Sequence, residues 1–254
     1  MAWNPGKYNE FKSVRFKPFF DLAALIEDRP GMEAVDLGCG TGEQTAMLAG
    51  QFADMHILGI DSSAEMLAEA ESFRKTNVSF ALQTIEQTIT TGKQWDLVFS
   101  NAALQWVDNH EQLFPALLAR LKPGGQVAIQ MPCQEDNLLN RLLYALAGEE
   151  PFCTALQGWN RRSPVLSMDD YAQLLFAQGG QEITVLQKVY PLIAASHDDL
   201  FQFISGSALI PYLDRLEGPV RDQFVHTFRQ RIAATFPVVP ALYAFKRILL
   251  YAQY

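Results

Sequence analysis

A chain of 254 residues with 49% apolar and 19% charged side chains has the make-up of a folded globular protein, and long disorder is not expected. Its length suits one large α/β domain, or a core with a smaller appendage. Its 20 lysines and arginines against 28 aspartates and glutamates leave a formal net charge of −8, which repels phosphate backbones and argues against nucleic acid as a partner.

Three cysteines (Cys39, Cys133 and Cys153) form no CxxC pair, and the four histidines are dispersed without HExxH spacing. They point to neither a disulfide framework nor a metal site. The opening residues MAWNPGKYNEF lack the apolar core of a signal peptide, and no apolar run reaches the roughly 20 residues needed to span a membrane. A cytoplasmic protein without a stable membrane anchor is expected. The sequence leaves the oligomeric state open and favours a monomer.

In chain order, residues 1–17 read as irregular, polar and aromatic. A helix follows at about 18–29, with Phe19, Leu22, Ala23 and Ile26 on one face. Strand-like and helix-like runs then alternate: strand 32–37, helix 43–50, strand 56–60, helix 64–73 capped by Ser62 or Ser63, strand 78–82, strand 95–100, helix 110–121, the turn Lys122-Pro123-Gly124-Gly125, and strand 126–131. Beyond Pro132 the pattern loosens. A helix at about 168–178 and a strand at about 182–190 resume it, 196–236 reads as two or three helices, and 241–251 is a last, aromatic-rich strand.

This alternation predicts a Rossmann-like α/β fold: a seven-stranded, mostly parallel sheet with helices on both faces and a small helical cap. The expected divisions are an N-terminal lid and first helix (1–30), an α/β core (31–190), a helical insertion (191–239) and the core's last strand (240–254). Such an insertion would sit over one end of the sheet and cover a ligand.

The sharpest signal is Asp36-Leu37-Gly38-Cys39-Gly40-Thr41-Gly42, ending one strand and opening a helix, where open α/β sheets bind ligands. Its glycines let the chain turn and its backbone approach a ligand. A dinucleotide loop would carry glycine at position 43. Glu43 stands there instead, and an acid at a helix N-terminus opposes a pyrophosphate. Asp61, at the end of the next strand, can accept hydrogen bonds from both ribose hydroxyls of a nucleoside. Loop and acid together predict a nucleoside cofactor without a pyrophosphate. Cys39 reads as a small buried residue rather than a nucleophile.

DLGCGTG, GIDSS and WDLVFSNAALQW together resemble the class I S-adenosylmethionine methyltransferases over residues 32–131. The resemblance implies S-adenosyl-L-methionine as cofactor. It places Asp36, Gly38, Cys39, Gly40, Thr41 and Gly42 around the methionine moiety, Asp61 and Ser62 at the ribose, Met66 beside the adenosine, and the Asn101 backbone at the methionine end. That family often has an acid after its third strand, against the adenine. Thr84 stands there, so Thr84 or the Ile85 backbone takes the role.

Trp3-Asn4-Pro5 with Tyr8, Phe11, Arg15 and Pro18, Asn101–Trp106, Leu113-Phe114-Pro115, Gln130-Met131-Pro132, Ser205–Leu213 and Ala244–Arg247 resemble the trans-aconitate 2-methyltransferases. That likeness spans nearly the whole chain. It differs where an arginine precedes the proline of the helical segment, since Ile210 stands here. The resemblance implies methyl transfer to a carboxylate oxygen of a small polycarboxylic acid such as trans-aconitate. Trp3, Tyr8, Arg15, Trp106, Lys246 and Arg247 are then pocket candidates, with Arg161 and Arg162 as further carboxylate partners. An ionised carboxylate needs no general base, so no residue is expected to act except by positioning. Two alternatives keep the same core: another acceptor, such as a malonyl ester on an acyl carrier protein or a quinone precursor with His110 or Tyr8 as base, and a non-catalytic cofactor-binding regulator.

Overall fold

A computed structural model describes residues 12–254, with side chains described from Phe16 onward. The expectations for residues 1–11, and for the Arg15 side chain, lie outside the described residues. The sheet has seven strands in the order β3-β2-β1-β4-β5-β7-β6. They are β1 (Glu33–Leu37), β2 (His56–Asp61), β3 (Val78–Leu82), β4 (Trp95–Asn101), β5 (Leu121–Pro132), β6 (Gln181–Ala194) and β7 (Ala241–Gln253). The pairs β3–β2, β2–β1, β1–β4 and β4–β5 are parallel, while β7 runs antiparallel to β5. Parallel strands covered on both faces require apolar runs, and β4 is buried at Trp95, Leu97, Val98 and Phe99.

The connecting helices are α1 (Lys12–Ala23), α2 (Glu43–Gln51), α3 (Ala64–Ala70), α4 (Ile85–Thr90), α5 (His110–Leu118), α6 (Leu138–Ala147), α7 (Phe152–Ala155), α8 (Met168–Ala177), α9 (His197–Ser205), α10 (Ile210–Leu213) and α11 (Gly218–Thr235). Several elements differ from the sequence pattern. Helix α1 begins earlier than expected and ends at Ala23, where the chain tightens into i→i+3 bonds from Leu25 to Leu22 and from Ile26 to Ala23. The helix expected over 64–73 becomes α3 followed by a 3₁₀ turn at Glu71–Phe73. Strand β5 absorbs the Lys122–Gly125 turn, with a register irregularity between Trp95 and Leu97 on its partner β4.

The chain forms two compact units. One comprises Pro18–Pro132, Pro164–Lys188 and Arg247–Tyr254 and holds the parallel strands. Within it, Phe19 of α1 packs edge-on against Phe99 of β4, with ring centroids 6.0 Å apart. The other gathers Cys133–Ser163 and Val189–Lys246 around its own core of Leu143, Phe201, Tyr212, Phe224 and Phe228. Helices α6 and α7, in the stretch where the sequence pattern loosens, contribute Leu139, Leu146 and Phe152 to that core. No helix among the described residues is long and apolar enough to cross a membrane.

His110, buried at the start of α5, ties three pieces of the first unit together. Its Nε2 lies 3.0 Å from the Leu104 carbonyl oxygen and its Nδ1 lies 2.5 Å from the Tyr171 hydroxyl on α8. A carbonyl only accepts, so Nε2 carries the hydrogen and Nδ1 accepts from Tyr171. The imidazole is thus held neutral, and burial lowers its pKa from the ordinary 6.5. The unfolded chain takes up a proton here near pH 6.5, whereas the folded chain does so only at lower pH. The stabilisation is therefore complete above pH 6.5 and declines as the pH falls below it. Melting curves from pH 8 to pH 5 should show this decline, and His110→Gln should flatten it. Tyr171→Phe leaves Nδ1 unmet at a cost of about 1–3 kcal/mol, which lowers Tm by several degrees.

Candidate functional site

The site is built where β1, β2 and β4 end. After Leu37 the chain turns through Gly38, Gly40 and Gly42, all with positive φ (76°, 56° and 76°), before α2 begins. The amides of Gly38 and Cys39 both donate to the Ile60 carbonyl at 2.9 Å, which fixes the turn to β2. Ser100 Oγ donates to the Leu37 carbonyl at 2.8 Å and fixes it to β4. The glycines differ in what they leave room for. A Cβ on Gly38 would stand 2.3 Å from Ala103 Cβ, and one on Gly42 would stand 2.7 Å from Phe80 Cζ. Both therefore serve close packing. A Cβ on Gly40 would meet nothing within 4 Å, so the middle of the turn faces open space.

Asp61 closes β2 beside that open face. Its Oδ2 accepts from the Gly40 amide at 2.9 Å and its Oδ1 from the Ser63 amide at 2.8 Å. The carboxylate is half-buried, and each oxygen keeps a further lone pair for a ligand hydroxyl. Ser63, rather than Ser62, caps α3 by accepting from the Met66 amide at 3.2 Å, and Ser62 is exposed.

Asp36 lies beneath the turn, fully buried, and accepts from Thr45 Oγ1 at 2.6 Å. Burial, opposed by the Thr45 bond and reinforced by the nearby Asp61 charge, pushes its pKa up to about 7. Two carboxylates thus flank one glycine turn. They make it a place for positive charge rather than for phosphate. The same surroundings push the Cys39 thiol up, so it stays protonated and is no nucleophile.

Asn101, ending β4, donates from Nδ2 to Gln44 Oε1 in the first turn of α2 at 2.8 Å. Gln44 was not singled out from the sequence, because a lone glutamine one residue into a helix carries no local signal. Thr84 is the N-cap of α4 in a capping box, with Oγ1 accepting from Gln87 N and Gln87 Oε1 accepting from the Thr84 amide. The hydroxyl is committed to the helix start. As the first residue of α4, Ile85 presents an amide without an intrahelical acceptor. Thr41 of the turn is half-buried. Met66 (45% exposed), Leu82 (63%) and Trp106 (43%) are exposed apolar side chains at or after the ends of β2, β3 and β4.

The acceptor candidates separate. Trp3 and Tyr8 lie outside the described residues. Lys246 and Arg247 are neighbours on β7, and successive side chains of a strand point to opposite faces. Lys246 Nζ donates to the Asp136 carbonyl, while Arg247 is buried and donates from Nη1 to Gln130 Oε1 at 2.6 Å. Arg161 is half-buried in the helical unit, where its amide donates to the Tyr212 hydroxyl, and Arg162 is exposed. Ile210, at the departure noted above, is 45% exposed.

Comparison with known proteins agrees with this geometry. Residues 34–125 match the family described as a methyltransferase domain. A trans-aconitate 2-methyltransferase of Deinococcus radiodurans is 43% identical over 99% of this chain and 98% of its own length, and one of Variovorax paradoxus is 34% identical over 100% and 98%. Among solved structures, the YcgJ protein of Bacillus subtilis superimposes with a TM-score of 0.62 at 16% identity, covering 93% of this chain and 97% of that one. Phosphoethanolamine N-methyltransferase 2 of Haemonchus contortus, in complex with S-adenosyl-L-methionine, does so at 0.56 and 18%, covering 93% and 52%. These structures share the fold, and the near-complete sequence match fixes the family: the chain is a member of the S-adenosylmethionine-dependent methyltransferases, within the trans-aconitate 2-methyltransferase family.

Proposed function

We propose that this enzyme transfers the methyl group of S-adenosyl-L-methionine to a carboxylate oxygen of trans-aconitate. The observation that carries the cofactor half is the Asp61 carboxylate set beside the open face of Gly40. The residues present fit the cofactor: Asp61 would hold the ribose hydroxyls, the open middle of the glycine turn would leave room for the methionine end, and Met66 and Leu82 would give the apolar adenine surround. When bound, the cofactor supplies an electrophilic methyl on a cationic sulfur. Asp36 and Asp61 give this end of the sheet the negative potential that favours such a cation. The acceptor half rests on relatives of that name matching over almost the full length, and on the burial of Arg247 in a chain whose net charge is negative.

The chain's own contribution is to bind and align. A substrate carboxylate is ionised at neutral pH, so no proton has to be moved. His110 supports this reading, because both its ring nitrogens are engaged by Leu104 and Tyr171 and neither is offered to a ligand. His110 is therefore not offered as the base that a carbon acceptor would need. The compartment in which the enzyme works, proposed as the cytoplasm, and its oligomeric state are separate matters from this chemistry.

Three outcomes test the proposal. In calorimetric titration, Asp61→Ala should weaken S-adenosylhomocysteine by about a hundredfold or more, the worth of two hydrogen bonds to a charged group. Gly40→Val should also weaken it strongly and lower Tm through the strain of a β-branched residue at φ 56°, and Gly38→Ala should lower Tm through the Ala103 clash. Second, cofactor affinity should fall as the pH drops through about 7, where Asp36 takes up a proton, and more for the cationic cofactor than for S-adenosylhomocysteine. Third, labelled methyl should pass to trans-aconitate ahead of malonyl-acyl carrier protein and quinone precursors. Tight cofactor binding with no transfer to any acid would instead identify a regulator.

A further inference from the structure

The glycine turn and Asp61 occupy the carboxyl ends of β1 and β2. The amino ends of the same strands border a cavity of about 100 Å³, within the sheet unit. Four strands line it close to where they start: β1 through Glu33, β2 through His56 and Ile57, β3 through Ser79 and β4 through Trp95. With five residues in β1, the two ends stand roughly 13 Å apart along the strand, so a small ligand at one end does not reach the other.

Trp95 and Ile57 are the buried part of this lining. Trp95 is 3% exposed, and its indole Nε1–H is buried without a hydrogen-bond acceptor. The indole nitrogen only donates, so no other arrangement of its proton satisfies it. A phenylalanine would occupy the strand start without leaving a donor unanswered. Exposed Lys93, His56 and Thr76 and half-buried Ser79 complete the polar lining. Lys93 Nζ lies 3.9 Å from the centroid of the Trp95 ring and forms no ion pair among the described residues.

Glu33 is the acid on the lining, and its charge is answered within the protein. Lys122 Nζ holds it at 3.0 Å, and Lys93 adds a weaker attraction. Lys122 also holds Asp96 at 2.8 Å, and Arg29 acts on Asp96 electrostatically. The two acids of this region therefore meet three cations, Lys93, Lys122 and Arg29.

We infer that this cavity binds a small oxyanion, a phosphate or carboxylate group, which accepts from the Trp95 indole N–H and lies against the Lys93 ammonium. The donor set selects the charge. An indole N–H, an ammonium and the hydroxyls of Thr76 and Ser79 all offer hydrogen, and a cation would find no carboxylate that is not already paired. The size selects a single group: the space equals that of a few waters, which suits one phosphate or carboxylate. Lying apart from the glycine turn, the bound anion takes no part in methyl transfer and instead stabilises the folded sheet by linkage.

The test is read on the Trp95 indole resonance, assigned by triple-resonance NMR in the labelled wild-type protein. Inorganic phosphate is titrated at an ionic strength held constant with sodium chloride, with sodium acetate in a parallel arm. The Nε1–H peak should move along a saturable curve with its midpoint at about 1–10 mM, the range of a small ligand held by a few contacts. In Lys93→Ala, where the lost side chain is exposed, the midpoint should rise about two- to fivefold. Saturation by phosphate alone, by acetate alone or by both supports the site and identifies its ligand as a phosphate, a carboxylate or either oxyanion. A peak that neither ion moves, or that drifts without saturating, overturns it. So does the same shift on raising chloride alone, or an unchanged midpoint in Lys93→Ala.

Discussion

Asp61 holds the protein before it holds any ligand. One of its oxygens fastens the Gly40 amide and the other the Ser63 amide, so a single carboxylate sets both the glycine turn after β1 and the entry to α3. The turn is kept open while the two outer glycines are packed against Ala103 and Phe80. Cofactor selection follows from the same placement. Two acids, one of them buried, stand where a dinucleotide-binding loop would present amide dipoles to phosphate. The preference for a cationic, phosphate-free nucleoside is thus a property of the folded loop itself.

What could be read from the sequence was whatever depends on near neighbours. Strand β3 was bounded correctly at Val78 and Leu82, and α2 began at the expected Glu43, because apolar runs and turn residues flank them directly. Helix α6 was not read, although Leu139, Leu143 and Leu146 repeat at helical spacing. Its N-cap residue Asn137 does not cap it. The side chain instead bonds the amide and carbonyl of Lys246, 109 residues away, in place of a backbone pair. A local pattern cannot announce such a bond.

The site divides in the same way. The glycine turn and Asp61 were visible because both lie on short connections whose backbone demands particular residues. Gln44 and Thr45 were not, because each matters only through a partner brought up from another element. Thr84 shows a related ambiguity. It stands where an acid is common in the family, and the structure gives its hydroxyl to the start of α4. The basic candidates illustrate the limit most clearly: Lys246 and Arg247 are indistinguishable in sequence, yet one is spent on a backbone carbonyl and the other is buried against an amide.

The reversal of β7 has a consequence for how such a protein can diversify. Pro132, where the chain first leaves the sheet unit, and Arg247, where it finally re-enters, are direct partners across β5 and β7. The points of departure and return therefore coincide, and closing the intervening chain costs the sheet little whatever its length. Recombination can exchange most of the helical material between them without re-registering the strands that carry the cofactor turn. The helical unit is then open to inheritance as a cassette, with Pro132 and Arg247 as the two seams.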